Sequence, residues 1–193
     1  PEEQKMKMIE ILEGEIDALA KMSSSFLDLA RLESGRKQYN VKEFDIRDLL
    51  VECHDIVENE VEEHQLVLYL EIPESLPRIR GDRQQLKQAL LNLLNNAIKF
   101  NQEGGEIHLQ AEADENTIAL EIADTGLGIP EDSLSKIFEK FYRVPAHREH
   151  VPGTGLGLSV VKQIIQGHGG EINVTSETGQ GTTFIIQLPI DLI

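Results

Sequence analysis

The chain has 193 residues, enough for one or two compact units, and 40% of them are hydrophobic, enough for a core. Its 34 Asp and Glu against 18 Lys and Arg leave a formal net charge of −16, which argues against non-specific nucleic-acid binding and membrane-surface contact. The single cysteine, Cys53, excludes an internal disulfide and suits a cytoplasmic location, with any membrane anchor lying upstream; no signal peptide opens the chain, and the start at Pro1 reads as that of a fragment.

Residues 2–34 read as one long helix, because Ile9, Leu12, Ile16, Leu19, Ser23, Phe26 and Ala30 keep an alternating three-and-four spacing. Ala18, Met22, Ser25, Leu29 and Leu32 form a second stripe beside it, which makes a face too wide for one partner and suits a multi-helix bundle. Gly35 closes this unit (residues 1–35), residues 36–41 form a linker, and residues 42–193 form the second domain.

That domain begins with a helix from Ile46 to His64, N-capped by Asp45, and a strand from Leu66 to Ile72. Strands are also expected at Glu106–Ala113, Thr117–Ala123, Glu171–Thr175 and Thr183–Leu188. Helices are expected at Asp82–Phe100, near Ser133–Ile137, and at Gly157–His168. Strand pairs separated by helices predict an α+β fold with helices layered on one sheet face. Between Phe138 and Gly153 the periodicity is lost, and the stretch reads as a mobile lid.

Three segments carry chemistry. On the 82–100 helix, Leu86, Ala89, Leu90, Leu93, Leu94, Ala97 and Ile98 form a broad apolar face, while Gln85, Asn92, Asn96 and Lys99 form a polar row. Two amides and an ammonium within two turns suit a polyanion carrying a hard cation, since amide oxygens ligate Mg²⁺ and Lys reaches phosphate as a point charge. Asn is a poor helix former, so Asn92, Asn95 and Asn96 are a local cost that favours function.

The second segment, Asp124-Thr-Gly-Leu-Gly-Ile-Pro130, puts a carboxylate where a half-buried strand ends. An aspartic protease also uses Asp-Thr-Gly, but it needs two carboxylates sharing a proton, and only one such motif is present. The third segment, Gly153-Thr-Gly-Leu-Gly-Leu158, runs three alternate glycines into a helix start, where unpaired first-turn N–H groups and the positive dipole end make an anion site. Its spacing is neither that of the P-loop nor GxGxxG.

In this order the segments resemble the ATP-binding catalytic domain of two-component sensor histidine kinases, within the superfamily that also holds gyrase, mismatch-repair and chaperone ATPases. Asn92–Phe100 looks like the N box, Asp124–Ile129 the G1 box, Gly153–Leu158 the G2 box and Ile137–Arg143 the F box. Gly179-Gln-Gly-Thr182-Thr-Phe184 resembles the glycine turn before the last strand. The resemblance implies a Bergerat-type two-layer α/β sandwich, with a mixed, largely antiparallel sheet covered on one face. It also makes residues 1–35 the second helix of a dimerisation and phosphotransfer hairpin.

The resemblance implies ATP and Mg²⁺ as ligands and assigns roles to residues. Asp124 accepts a hydrogen bond from the adenine amino group. Asn96 ligates Mg²⁺ with Asn92 nearby, and Lys99 points to the phosphates. Gly126, Gly128, Gly153, Gly155 and Gly157 shape the pocket, and N–H groups from Gly155 through Leu156 to Leu158 hold phosphate. Ile129, Thr154 and Thr182 also line the site, and Arg143 nears the γ-phosphate. Phe138 is counted among the nucleotide-binding residues, though with Phe141 it is expected chiefly to anchor the lid.

The implied partners are a second copy of the chain through the helix bundle, a histidine-bearing helix, and a response-regulator receiver domain. None of the six histidines (54, 64, 108, 147, 150 and 168) lies in the Ser-His-Glu type context of the family's phosphoacceptor, so that histidine is expected on an upstream helix. Two other function classes stay open: a hydrolysing ATPase like the gyrase and chaperone branch, and a non-catalytic nucleotide-binding or dimerisation module.

Overall fold

Ile107, Leu109 and Ala111 on one strand, and Ile118, Leu120 and Ile122 on the next, are buried in alternation with less buried neighbours, and this period-two pattern builds a sheet with one buried face. The computed structural model describes residues 39–148 and 151–191, and upstream only Met6, Met8, Ile16, Ser23 and Leu27, each of them helical. The rest of the helix expected over residues 2–34, with its Gly35 terminator, lies outside the described residues.

The described elements run β1 (Lys42–Asp45), α1 (Ile46–Glu63), β2 (Val67–Glu71), β3 (Arg78–Gly81), α2 (Arg83–Lys99), β4 (Glu106–Ala113) and β5 (Thr117–Asp124). They continue with α3 (Glu131–Leu134), a 3₁₀ turn (Pro145–His147), α4 (Gly157–Gly167), β6 (Glu171–Glu177) and β7 (Gly181–Pro189). Five strands form one sheet in the order β2-β4-β5-β7-β6, parallel only between β2 and β4. The mixed, largely antiparallel sheet expected from the sequence is therefore present.

One core joins the inward residues of β4, β5 and β7 to α1, α2 and α4. Every apolar position expected on α2 (Leu86, Ala89, Leu90, Leu93, Leu94, Ala97 and Ile98) is buried. Asp45 caps α1 by accepting the Arg47 N–H, and Asp82 caps α2 by accepting the Gln84 and Gln85 N–H groups. Cys53 sits in this core as a free thiol, and burial pushes its pKa up to about 12, so it packs as a small hydrophobe.

Two features differ from expectation. β1 and β3 pair as a two-stranded antiparallel ribbon where none was expected, with Phe44 facing Ile79 and both buried. The short helix expected near Ser133–Ile137 begins two residues earlier and ends at Leu134. Pro130 precedes its first turn with φ −58°, and Glu131 and Asp132 suit the positive end of the helix dipole.

Candidate functional site

The end of β5, the polar side of α2 and the start of α4 converge on one cavity of about 340 Å³, within the usual range of small-molecule sites (~300–1,000 Å³). Asp124, the last residue of β5, lines its floor with Gly128, Ile129, Thr182 and Phe184. Asn92, Asn96 and Lys99 line it from α2, and Gly153, Thr154, Gly155, Gly157 and Leu158 line it from the glycine loop and the start of α4. Arg143 lies on the lid side.

Asp124 Oδ1 accepts the Gly126 N–H at 2.9 Å and the Thr182 N–H at 3.3 Å. No further hydrogen bond within the described residues reaches Oδ2, so one carboxylate oxygen remains available to a ligand. Burial raises the Asp124 pKa to about 6, and the two backbone donors oppose that shift without overcoming it.

The glycine loop and the α2 polar row are neighbours. A Cβ on Gly153 would lie 3.1 Å from Lys99 Nζ, and one on Gly157 would lie 3.9 Å from Asn92 Oδ1. Gly155 has φ +71°, and the Phe141 N–H donates to its carbonyl at 2.9 Å, tying loop to lid. The first-turn amides of α4 have no intrahelical acceptor, and no side chain caps them, so they present donors at the loop.

Other expected residues sit beside the cavity rather than on its wall. Gly126 packs against the end of α2, where a Cβ would run into the Phe100 carbonyl. Phe138 meets Phe184 edge-on at 6.4 Å, with Lys162 Nζ 5.5 Å from its ring centre. Leu156 is fully buried as the N-cap residue of α4. Gln85, on the same expected row as Asn92, is turned into the core.

Arg143 lines the cavity, yet its Nη2 donates to the carbonyls of Arg148 (2.7 Å) and Val151 (2.6 Å), drawing its own loop closed. Sequence reasoning missed Phe100, Tyr142, Val144, His147, Val151 and Pro152 as cavity walls. The ring of His147 lies 5.7 Å from that of Phe100, and desolvation lowers its pKa. The aromatic closing the N box, the Tyr within the F box and the lid expected between Phe138 and Gly153 were the sequence signals for these.

The donor set fits a nucleotide carrying a hard cation. Among the described residues no group of three His, Cys, Asp or Glu side chains could hold a metal by itself. The Asn92 and Asn96 amide oxygens instead suit Mg²⁺, which takes one or two protein ligands and completes its shell from water and substrate phosphate, and the Lys99 ammonium suits that phosphate.

A buried carboxylate, a polar helix face and a glycine loop that runs into a helix N-terminus thus line one cavity of an α+β domain. The chain belongs to the histidine kinase-, DNA gyrase B- and HSP90-like ATPase family, whose sequence model matches residues 81–192. Within it the chain is the ATP-binding catalytic region of a sensor histidine kinase.

It is 34% identical over 189 residues to the alginate biosynthesis sensor protein KinB of Pseudomonas aeruginosa, covering 98% of this chain and 31% of KinB. Full-length ShkA in complex with AMPPNP superposes with a TM-score of 0.84 at 29% identity, covering 98% of this chain and 40% of ShkA. The catalytic domain of the histidine kinase ThkA gives a TM-score of 0.70 at 30% identity over 79% of this chain and 99% of that domain. ThkA in complex with the response regulator protein TrrA gives 0.76 at 27% identity, covering 95% of this chain and 51% of that one. The chain spans about a third of the length of KinB.

Proposed function

We propose that this chain binds Mg²⁺·ATP and delivers its γ-phosphate to a histidine on a bundle helix, for onward transfer to an aspartate of a response-regulator receiver domain. The observation that carries the proposal is the cavity itself, lined by one unpartnered carboxylate oxygen of Asp124 and by Asn92, Asn96, Lys99 and the Gly153–Leu158 loop. Asp124 accepts the adenine amino group. The Asn96 amide oxygen ligates Mg²⁺, Lys99 neutralises phosphate charge, and the first-turn amides of α4 hold phosphate oxygens.

Mg²⁺ held at Asn96 would neutralise developing charge on the transferring group, and the chain's own part is to bind, align and exclude water. Arg143 shapes the lid near the γ-phosphate. The ShkA complex with AMPPNP supports the nucleotide, and the ThkA–TrrA complex supports a receiver domain as partner. Self-association through the helix of residues 1–35 and a cytoplasmic setting belong to the same reading. Among the described residues no helix is long and apolar enough to cross a membrane.

The test is titration of the chain with ATP with and without Mg²⁺, followed by label transfer to a histidine-bearing hairpin supplied in trans. Mg²⁺-dependent binding and acid-labile label on the hairpin are expected. A chain that binds no adenine nucleotide overturns the proposal.

A further inference from the structure

His168 stands in Gly167-His-Gly-Gly170, a motif to which neither the fold nor the nucleotide cavity gives a task. It is 1% exposed, so both of its ring nitrogens need hydrogen-bond partners inside the protein. Its Nδ1 lies 2.7 Å from the Ile164 carbonyl, which can only accept, so Nδ1 carries the proton. Its Nε2 therefore presents a lone pair, and this accepts the Asp82 N–H at 2.9 Å. Burial lowers the imidazole pKa, in keeping with this neutral form.

Asp82 is the N-cap of α2, the helix that carries Asn92, Asn96 and Lys99. Its Oδ1 takes the Gln84 and Gln85 N–H groups, and its Oδ2 takes the Asn40 N–H at 3.0 Å from the linker side. The neighbouring Tyr39 meets the His168 ring edge-on at 5.2 Å.

Two glycines make room for this seat. A Cβ on Gly81 would lie 2.9 Å from His168 Cδ2, and one on Gly167 would run into the Tyr39 hydroxyl. The chain entering the domain is thus fastened at one point to the first residue before α2 and to the last turn of α4. Those two helices pack on each other and present the α2 polar row and the phosphate-facing amides at their other ends.

We propose that His168 is a positioning residue for the phosphate side of the ATP site, and that Tyr39 and Asn40, seated on the Asp82–His168 pair, couple the linker to that side. The proposal rests on the ATP reading above. A helix moves nearly as a rigid body, so a shift at its Asp82 cap displaces Asn92, Asn96 and Lys99 together. Asp124, the last residue of β5, is held within the sheet by its pairing with Thr182 of β7 and by the Thr182 N–H on its Oδ1, so it is tied to the sheet and not to the N-terminal cap of α2. Release of the seat therefore weakens phosphate binding selectively and leaves adenine recognition intact.

The experiment compares affinities for Mg²⁺·ATP and for adenosine in the 193-residue chain and in three variants. Gly167→Ala evicts Tyr39 while improving helix propensity at the end of α4, so a weakened helix cannot explain its effect. His168→Asn keeps a donor for the Ile164 carbonyl but withdraws the acceptor from the Asp82 N–H. His168→Gln returns an oxygen acceptor to the Nε2 position.

His168→Asn is expected to weaken Mg²⁺·ATP binding roughly five- to 30-fold, the effect of one lost buried hydrogen bond, Gly167→Ala to weaken it in the same direction by displacing the Tyr39 ring, and both to leave adenosine within about twofold. His168→Gln should recover most of the loss. Parallel weakening of both ligands, or no change in either, makes His168 and Tyr39 parts of the fold only and overturns the coupling. A parent chain that binds adenosine and ATP equally, or neither, overturns the ATP reading itself.

Discussion

Asp124 and Thr182 face each other as register partners at the ends of β5 and β7, and the Thr182 N–H donates to Asp124 Oδ1 at 3.3 Å. The close approach depends on Gly181, whose φ is +110° and whose place a Cβ could take only by running into the Asp124 carbonyl. The last strand thus orients one carboxylate oxygen and leaves the other to the cavity. Two backbone donors would by themselves lower the carboxyl pKa, but burial outweighs them and the group titrates near 6.

Asp124→Ala should weaken ATP binding by about 1–3 kcal/mol, or roughly five- to 150-fold, because a buried amino group loses its acceptor. The parent chain should also discriminate against GTP, whose guanine presents an oxygen acceptor where adenine presents its amino donor. Titration calorimetry of both nucleotides measures this. Equal ATP affinity in parent and Asp124→Ala would falsify the adenine assignment.

The raised Asp124 pKa makes both stability and binding depend on pH. The folded chain keeps a proton that the unfolded chain releases between its ordinary value of 3.8 and about 6. This contribution to stability is therefore largest below about pH 4 and falls as pH rises toward 6, by at most ~3 kcal/mol. Adenine favours the ionised carboxylate, so affinity should fall as pH drops through 6, with a proton released on binding. Adenosine is the suitable probe because it has no titrating phosphate. Buffer-independent binding enthalpy at pH 6 would rule out the proton release.

The sequence revealed much of this, but unevenly. The face of α2 and the strands ending at Asp124 and Leu188 were legible because each buries alternate or helically spaced residues for several turns or pairs. The β1–β3 ribbon was not legible. Lys-Glu-Phe-Asp and Arg-Ile-Arg-Gly are four residues each, rich in charge, and their partnership joins segments more than thirty positions apart. Tyr142 and His147 became cavity walls through the path of the lid, which has no periodicity to read. The tautomer of His168 was fixed only once Asp82 and Ile164 were brought to its two nitrogens.

The three glycines of the loop look equivalent in sequence, yet the structure ranks them. Gly155 has φ +71°, and a Cβ there would lie 2.7 Å from the Phe141 carbonyl carbon and the Tyr142 oxygen. Gly153 would meet only the Lys99 ammonium at 3.1 Å, and Gly157 only the Asn92 amide at 3.9 Å. Gly155→Ala should therefore cost roughly tenfold or more in Mg²⁺·ATP affinity, from a backbone strain of about 1–2 kcal/mol. Gly153→Ala and Gly157→Ala should each stay within a few-fold of the parent. A reversed order in parallel titrations would remove the loop conformation from the account.

Hydrolysis should be slow. The gyrase and chaperone branch, as its resemblance implies, places a Glu four residues before the Mg²⁺-binding Asn, and here that position is Asn92, which lines the cavity. An amide cannot accept a proton from water. Asn92→Glu should raise phosphate release above the parent in a coupled assay. Fast turnover by the unmodified chain, surviving repurification, would instead move the protein into the hydrolysing class.

Incubated alone with Mg²⁺·ATP, the chain should not become phosphorylated. Transfer depends on in-line placement of an exposed imidazole nitrogen more than on the intrinsic reactivity of any histidine. His168 is buried with both nitrogens engaged, and His64 Nδ1 pairs with the Glu60 carbonyl at 2.8 Å. His54 and His108 pair with carboxylates at Asp55, Glu71 and Glu106. His147 lines the cavity from a single 3₁₀ turn of the lid and stands against the Phe100 ring. Addition of a histidine-bearing hairpin should restore labelling, and the label should be acid-labile. Stoichiometric acid-labile phosphate on the chain alone would identify one of its own six histidines as an acceptor and show that in-line geometry is reached without a second helix.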